Sequence, residues 1–149
     1  NLGIPDGGIE VTAANRLKVI ELIRRLRPEY VILPYWQCRH YDHVHASRLV
    51  SEAGFYSGLR KIDTGQEPHR PRLLLYYFMR HEGEPSFVVD ISETAEAKRR
   101  AILAHSSQFY DPQSTEPETF ISSKEFLEAI FDRNRYWGMR VGVAYGEPS

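Results

Sequence analysis

The sequence of 149 residues predicts an α/β layered domain, and three features carry that expectation. An amphipathic helical stretch gives way at a proline to a short apolar run, which leads through a polar loop into a second amphipathic stretch. Alternation of this kind is the grammar of helices layered on a sheet. The run itself, Tyr30-Val31-Ile32-Leu33-Pro34, is β-prone and does not alternate, as in strands covered on both faces. Composition agrees, with 42% hydrophobic and 26% charged residues, and the length suits a single domain spanning 1–149.

The elements follow in order. Pro5-Asp6-Gly7-Gly8 is a turn signal, Pro setting one dihedral and Gly permitting positive φ. Thr12 is placed to cap a helix running to about Arg27, with Val19, Ile20, Ile23 and Leu26 inward and Arg16, Arg24 and Arg25 towards solvent. Pro28 stops it. After the strand and the loop 35–42, a second helix is expected from His43 to Gly54 on the stripe Ala46, Leu49, Val50 and Ala53. Leu73–Met79 and Phe87–Ile91 read as strands joined in a hairpin through 81–85. Ser92 is placed to cap a third helix to about His105. Ser122-Ser123-Lys124-Glu125 fits a capping box for a fourth, which Gly138 would end. Met139–Tyr145 reads as a terminal strand or extended tail.

Several function classes are disfavoured at once. A net charge of −1 removes the electrostatic case for nucleic acid or an anionic membrane as partner. No apolar run reaches the roughly 18–20 residues of a spanning helix. One cysteine, Cys38, cannot form an internal disulfide, and a reduced, cytoplasmic setting is expected. The chain opens Asn1-Leu2-Gly3-Ile4 without an initiator Met or a signal segment.

Chemistry concentrates in Arg39-His40-Tyr41-Asp42-His43-Val44-His45, where three of the six histidines fall in the loop that leaves the strand and enters a helix. In open α/β sheets ligands gather beyond the carboxyl ends of the strands. A neutral imidazole binds zinc through one nitrogen, while its other N–H is held by a carboxylate or carbonyl. His-x-Asp-His offers two imidazoles and a carboxylate, and also admits a plain structural reading: Asp42 as an N-cap, His43 as a core histidine, His40 and His45 solvated. A catalytic zinc needs three protein ligands, more than one helical turn supplies. Pro68-His69-Arg70-Pro71 is a stiff basic loop able to meet an anion or simply to turn the chain. Arg135-Tyr136-Trp137 offers a phenol or a stacking face to a sugar, or packs a helix end. Cys38, beside Arg39, has no general base attached to it in sequence.

Read together, Asn1-Leu2-Gly3-Ile4-Pro5-Asp6-Gly7, Pro34-Tyr35-Trp36, Arg39-His40-Tyr41-Asp42-His43, Ala46-Ser47-Arg48-Leu49-Val50, Pro68-His69-Arg70-Pro71, the segment 85–92, Ser107-Gln108-Phe109 and Tyr145-Gly146-Glu147-Pro148 occur in an order that resembles the LmbE/PIG-L family of zinc-dependent N-acetylglucosaminyl deacetylases. The Pro-His-Arg-Pro loop resembles the bacillithiol-pathway branch, which acts on N-acetylglucosaminyl-malate. The resemblance implies a Rossmann-like three-layer α/β/α sandwich with a mostly parallel sheet, zinc as cofactor, and a homo-oligomer. It implies His43 as a metal ligand, His40 as the group assisting the tetrahedral intermediate, and Asp42 as its carboxylate neighbour. Arg39 and Tyr136 become the substrate contacts.

Two departures bear on this. Tyr41 stands where the family motif has Pro. The family's Ala-His-Pro-Asp-Asp segment, source of the general base and two further ligands, has no counterpart in these residues. The resemblance therefore implies the C-terminal portion of the fold, with Tyr30–Leu33 short of sheet neighbours. The 149 residues alone are expected to lack tight zinc and deacetylase activity. The contrasting expectation is a non-catalytic α/β scaffold, and a third is a deacetylase for another N-acetylglucosaminyl conjugate.

Overall fold

The computed structural model describes residues 1–80, 83–115 and 117–149, in two compact units, Asn1–Glu84 and Pro85–Ser149. The expected connection through 81–85 falls partly outside the described residues.

In the first unit α1 spans Ala13–Leu26, β1 Tyr30–Pro34, α2 Tyr41–Tyr56 and β2 Leu73–Tyr77. Thr12 caps α1 as expected, its hydroxyl accepting the Asn15 amide at 3.1 Å. Val19, Ile20 and Ile23 of α1 meet Leu49 and Ala53 of α2 in a buried cluster that Ile9 and Val11 flank. Strands β1 and β2 run parallel, with Tyr30 opposite Leu73 and Pro34 opposite Tyr77.

Because strand side chains alternate, Leu33, Leu74 and Tyr76 share the face that α2 covers. Gly54 of α2 lies against Leu74, and the Tyr76 hydroxyl reaches Ser51 Oγ at 3.4 Å. Leu33 is accordingly 1% exposed, whereas Ile32, on the other face, is 70% exposed. The expectation of a strand covered on both faces is thus corrected: among the described residues β1 pairs on one edge and is sheltered on one face.

Arg24 also departs from its expected solvent-facing place. It is buried, and its guanidinium donates to the carbonyls of Ser57 (3.0 Å), Leu59 (2.8 Å) and Ile62 (2.7 Å) and to Thr64 Oγ1 (2.6 Å). The last turn of α2 has no basic residue of its own. Arg24 supplies from α1 the cation that the carbonyl end of that helix favours. Leu26, expected inward, is exposed.

In the second unit β3 spans Val88–Asp90, α3 Ala95–Leu103, α4 Lys124–Val141 and β4 Gly146–Pro148. The expected hairpin is not formed. Strand β2 joins β1, and β3 pairs antiparallel with β4, Val88 opposite Pro148. Ser92 does not cap α3 either, because its hydroxyl donates to Asp90 Oδ1 and accepts the Tyr145 amide. Ser123 caps α4, accepting from Phe126 N–H at 3.2 Å. Asn134, buried on α4, ties the unit together. Its amide donates to the Gly146 carbonyl, and its Oδ1 accepts from Lys98, which also pairs with Glu147.

Gly138 lies inside α4 rather than at its end, which Gly142 supplies with φ of 80°. The chain doubles back so closely that a Cβ at Gly138 would stand 2.7 Å from the Val143 carbonyl oxygen and 2.9 Å from Tyr145 Cα. The demand at 138 is therefore for space. Gly138→Ala should destabilise the second unit by about 1–3 kcal/mol through overpacking, outweighing the helix propensity gained. Thermal denaturation checks this, and an unchanged or raised Tm would contradict it.

No helix among the described residues is long and apolar enough to cross a membrane.

Candidate functional site

Because β1 and β2 are parallel, their carboxyl ends face the same way, and the loop after Pro34 leaves from that end. Tyr35 prolongs the pairing, its N–H donating to the Tyr77 carbonyl at 3.1 Å. The loop carries Trp36, Cys38, Arg39 and His40 into the first turn of α2, which begins at Tyr41, two residues earlier than the hydrophobic stripe indicates.

The extension has a cause. His40 is the N-cap, its Nδ1 accepting the Asp42 amide hydrogen at 3.2 Å. An imidazole that accepts through Nδ1 carries its proton on Nε2 when neutral. His40 thus offers an N–H donor from an exposed ring.

Asp42 is buried and faces the other way. Its carboxylate accepts the amide of Gly7 at 2.6 Å and that of Ile9 at 3.3 Å, anchoring the Pro5–Gly8 turn to the head of α2. His45 reinforces the anchor. Its Nδ1 lies 2.6 Å from the Ile9 carbonyl oxygen, which can only accept, so His45 donates there. Spacing along the chain gives no sign of this link between the opening turn and the histidine loop.

His43 lies one turn into the helix, its ring stacked on that of His40 with centroids 4.8 Å apart. Cys38 Sγ engages His43 Nδ1 at 3.1 Å, which leaves Nε2 as the ring's other position for a ligand. Burial holds the His43 pKa below the ordinary imidazole value, the charge of His40 pushes the same way, and Asp42 and Asp6 oppose. A neutral ring is the form that binds a metal.

The shift also has a linkage sign. A histidine lowered in the folded state costs no stability above its unfolded pKa, and stability is lost as pH falls towards and through the folded value. The His43 ring protons should therefore titrate by NMR with a midpoint below the ordinary imidazole value. A midpoint at or above it would contradict the assignment.

Arg39 is exposed beside His40. Tyr136 lies on α4 in the second unit, half exposed, with Arg140 donating to its hydroxyl at 3.5 Å. The structure thus brings His40, Asp42 and His43 together with Arg39 at one strand end and sets Tyr136 on a different element. The loop 68–71 precedes β2, so it lies at the amino end of the parallel pair, opposite the histidine loop. There His69 Nε2 donates to the Pro28 carbonyl at 2.8 Å, and its amide donates to the Ser57 carbonyl at 3.0 Å. These contacts fasten the connection to α1 and α2.

A zinc site can be tested on this donor set. His43 supplies an imidazole and Cys38 a sulfur atom nearby, but Asp42 is occupied by amides and His40 Nδ1 by the helix cap. Among the described residues no group of three His, Cys, Asp or Glu side chains could hold a metal ion. The described residues alone do not fit a catalytic zinc, which takes three protein ligands.

The architecture is a mixed α/β chain that matches part of the LmbE/PIG-L-like fold. The chain is related to diacetylchitobiose deacetylase of Thermococcus kodakarensis, 33% identical over 116 residues that make up 72% of this chain and 42% of that protein. It is also similar to the conserved protein TT1542 of Thermus thermophilus, with 40% identity and a TM-score of 0.87 over 99% of this chain and 62% of that one. At the level of fold alone it matches N,N'-diacetylchitobiose deacetylase from Pyrococcus horikoshii complexed with an inhibitor, at 22% identity and a TM-score of 0.73, over 99% of this chain and 52% of that one. GalB, the 4-carboxy-2-hydroxymuconate hydratase of Pseudomonas putida KT2440, matches at 18% identity and 0.71, over 97% and 60%. No family model matches the chain. The chain spans about half the length of the relatives it matches.

Proposed function

We propose that this chain carries the His40–His43 portion of a metal-dependent N-deacetylase acting on an N-acetylglucosaminyl conjugate. The observation that supports it is the position of these two imidazoles. They stack at the carboxyl end of β1, at the head of α2, in a chain one-third identical to diacetylchitobiose deacetylase over most of its length. Zinc, held by His43 together with ligands outside this chain, would supply the Lewis acidity for amide hydrolysis.

This chain's own residues do three things in that scheme. His43 presents Nε2, steadied by Cys38 at Nδ1. His40 presents its Nε2–H to the oxygen that becomes negative as the acetyl carbonyl is attacked. Asp42 holds the loop beneath them through Gly7 and Ile9, so its part is to position. Arg39, next to His40 in the sequence, and Tyr136 are the proposed contacts for the polar part of the conjugate, and the protein is proposed to act as a cytoplasmic homo-oligomer.

N-acetylglucosaminyl-L-malate, the bacillithiol precursor, is the particular substrate proposed, on the resemblance of the motif Pro68-His69-Arg70-Pro71 to the bacillithiol branch and not on a contact, since that loop lies at the other end of the strand pair. The test is acetate release from the malate conjugate and from N,N'-diacetylchitobiose. It is run on the 149 residues and on the same chain extended at its N-terminus by a His-Pro-Asp-Asp-containing segment. Release by the extended chain alone, faster on the malate conjugate, is the expected result. Faster release from diacetylchitobiose would replace the substrate and keep the reaction. No release from either would leave a non-catalytic scaffold.

A further inference from the structure

We infer that Trp36 is a pyranose platform, the surface on which the sugar ring of the substrate lies beside the histidine loop. The inference rests on the proposed substrate class and adds a binding residue to it. Trp36 is half exposed, at 50%, although an indole is among the side chains that gain most from burial. It is nonetheless held by its neighbours. Tyr35 lies 3.9 Å from it, centroid to centroid, at 30°, and Tyr76 meets it edge-on at 4.9 Å and 84°. Tyr35 in turn packs edge-on against the buried Phe78 at 4.8 Å, and Tyr76 is tied to Ser51 of α2.

A large aromatic surface is thus fixed in place and left uncovered by the described residues, so a ligand would meet it without first ordering it. Its position selects the ligand. Trp36 leaves the carboxyl end of β1, where ligands of such sheets gather, and precedes His40 by four residues in the same loop. In N-acetylglucosamine the substituents at C2 to C5 are equatorial, so each face presents axial C–H groups bearing partial positive charge. These complement the negative face of an aromatic π-system. A flat apolar ligand would stack equally well, but polar Gln37 and Arg39 flank this surface in the sequence and suit the hydroxyl rim of a sugar.

The experiment titrates N-acetylglucosamine into the 149-residue chain and follows the indole N–H signals by NMR. The chain has two tryptophans, and Trp137 is buried on α4, so Trp36→Phe assigns the signals. A saturable shift of the Trp36 signal is expected, absent with an acyclic polyol. Trp36→Ala should weaken binding at least tenfold, read on the loop amides, and Trp36→Tyr should restore part of it. No saturable shift, or equal affinity in Trp36→Ala and Trp36→Tyr as in the parent, overturns the platform. Acetate release by the extended chain separates the two readings. Sugar binding through Trp36 without acetate release removes the deacetylase and keeps the platform. Acetate release with an unchanged KM in Trp36→Ala removes the platform and keeps the deacetylase.

Discussion

In the extended chain, under the proposed deacetylase reading, His40→Ala should keep its metal and lose turnover by ~10²-fold or more, the scale of a lost proton-transfer or oxyanion group. The structure adds a complication and its remedy. His40 is also the N-cap of α2, so the alanine variant forfeits a cap worth about 1 kcal/mol. His40→Ser restores a capping oxygen without an imidazole. It should therefore recover stability and leave turnover as low as in His40→Ala. Activity that returned with the serine would mean that the imidazole serves only as a cap. A Tm that failed to return would contradict the cap.

Arg24→Ala should produce the largest loss of stability of any single change considered. Three carbonyls and Thr64 Oγ1 now receive the guanidinium N–H groups in a largely buried setting. Each orphaned buried acceptor costs ~1–3 kcal/mol, and partial hydration of the gap reduces the sum to about 3–5 kcal/mol. For a chain of this size that lowers Tm by about 10 °C. Arg24→Lys offers three donors from a point charge rather than a planar fork, and should fall between the two. A melting curve for Arg24→Ala within a degree of the parent would contradict this account of how α1 and the end of α2 are joined.

Both cases mark how far the sequence could be read. Where a residue's role was local, the reading agreed with the structure. Thr12 and Ser123 cap their helices because the acceptor and its amide lie three residues apart. Val19, Ile20, Ile23, Leu49 and Ala53 meet because helical periodicity brings them to one face. Where a role depended on a partner distant in sequence, it could not be seen. Arg24 reads as a solvated charge until the turn at 57–64 folds over it, and Leu73–Tyr77 reads as half of a hairpin until it pairs with β1 instead. Gly138 reads as a helix stop, since nothing local shows that the chain from Val143 to Tyr145 returns against it.

The candidate site divides in the same way. The clustering of His40, Asp42 and His43 at a strand end was legible from spacing and from the order of the elements. Their hydrogen-bond assignments were not. That Asp42 serves the amides of Gly7 and Ile9, and that Cys38 engages His43, follows from how the turn at 5–8 and the loop at 35–40 settle around the first turn of α2. The same loops fix which nitrogen of each ring is left to a ligand, Nε2 of His40 as a donor and Nε2 of His43 as the position that Cys38 does not engage.

If His43 is a metal ligand in a site completed from outside these residues, as proposed, metal content must depend on it. Zinc is measured by elemental analysis after dialysis against a weak chelator, in the 149-residue chain, in the extended chain, and in the extended chain bearing His43→Ala. One tightly held zinc per extended chain is expected, and none in the other two. Full zinc occupancy in the His43→Ala variant, or stoichiometric zinc in the 149 residues alone, would contradict it.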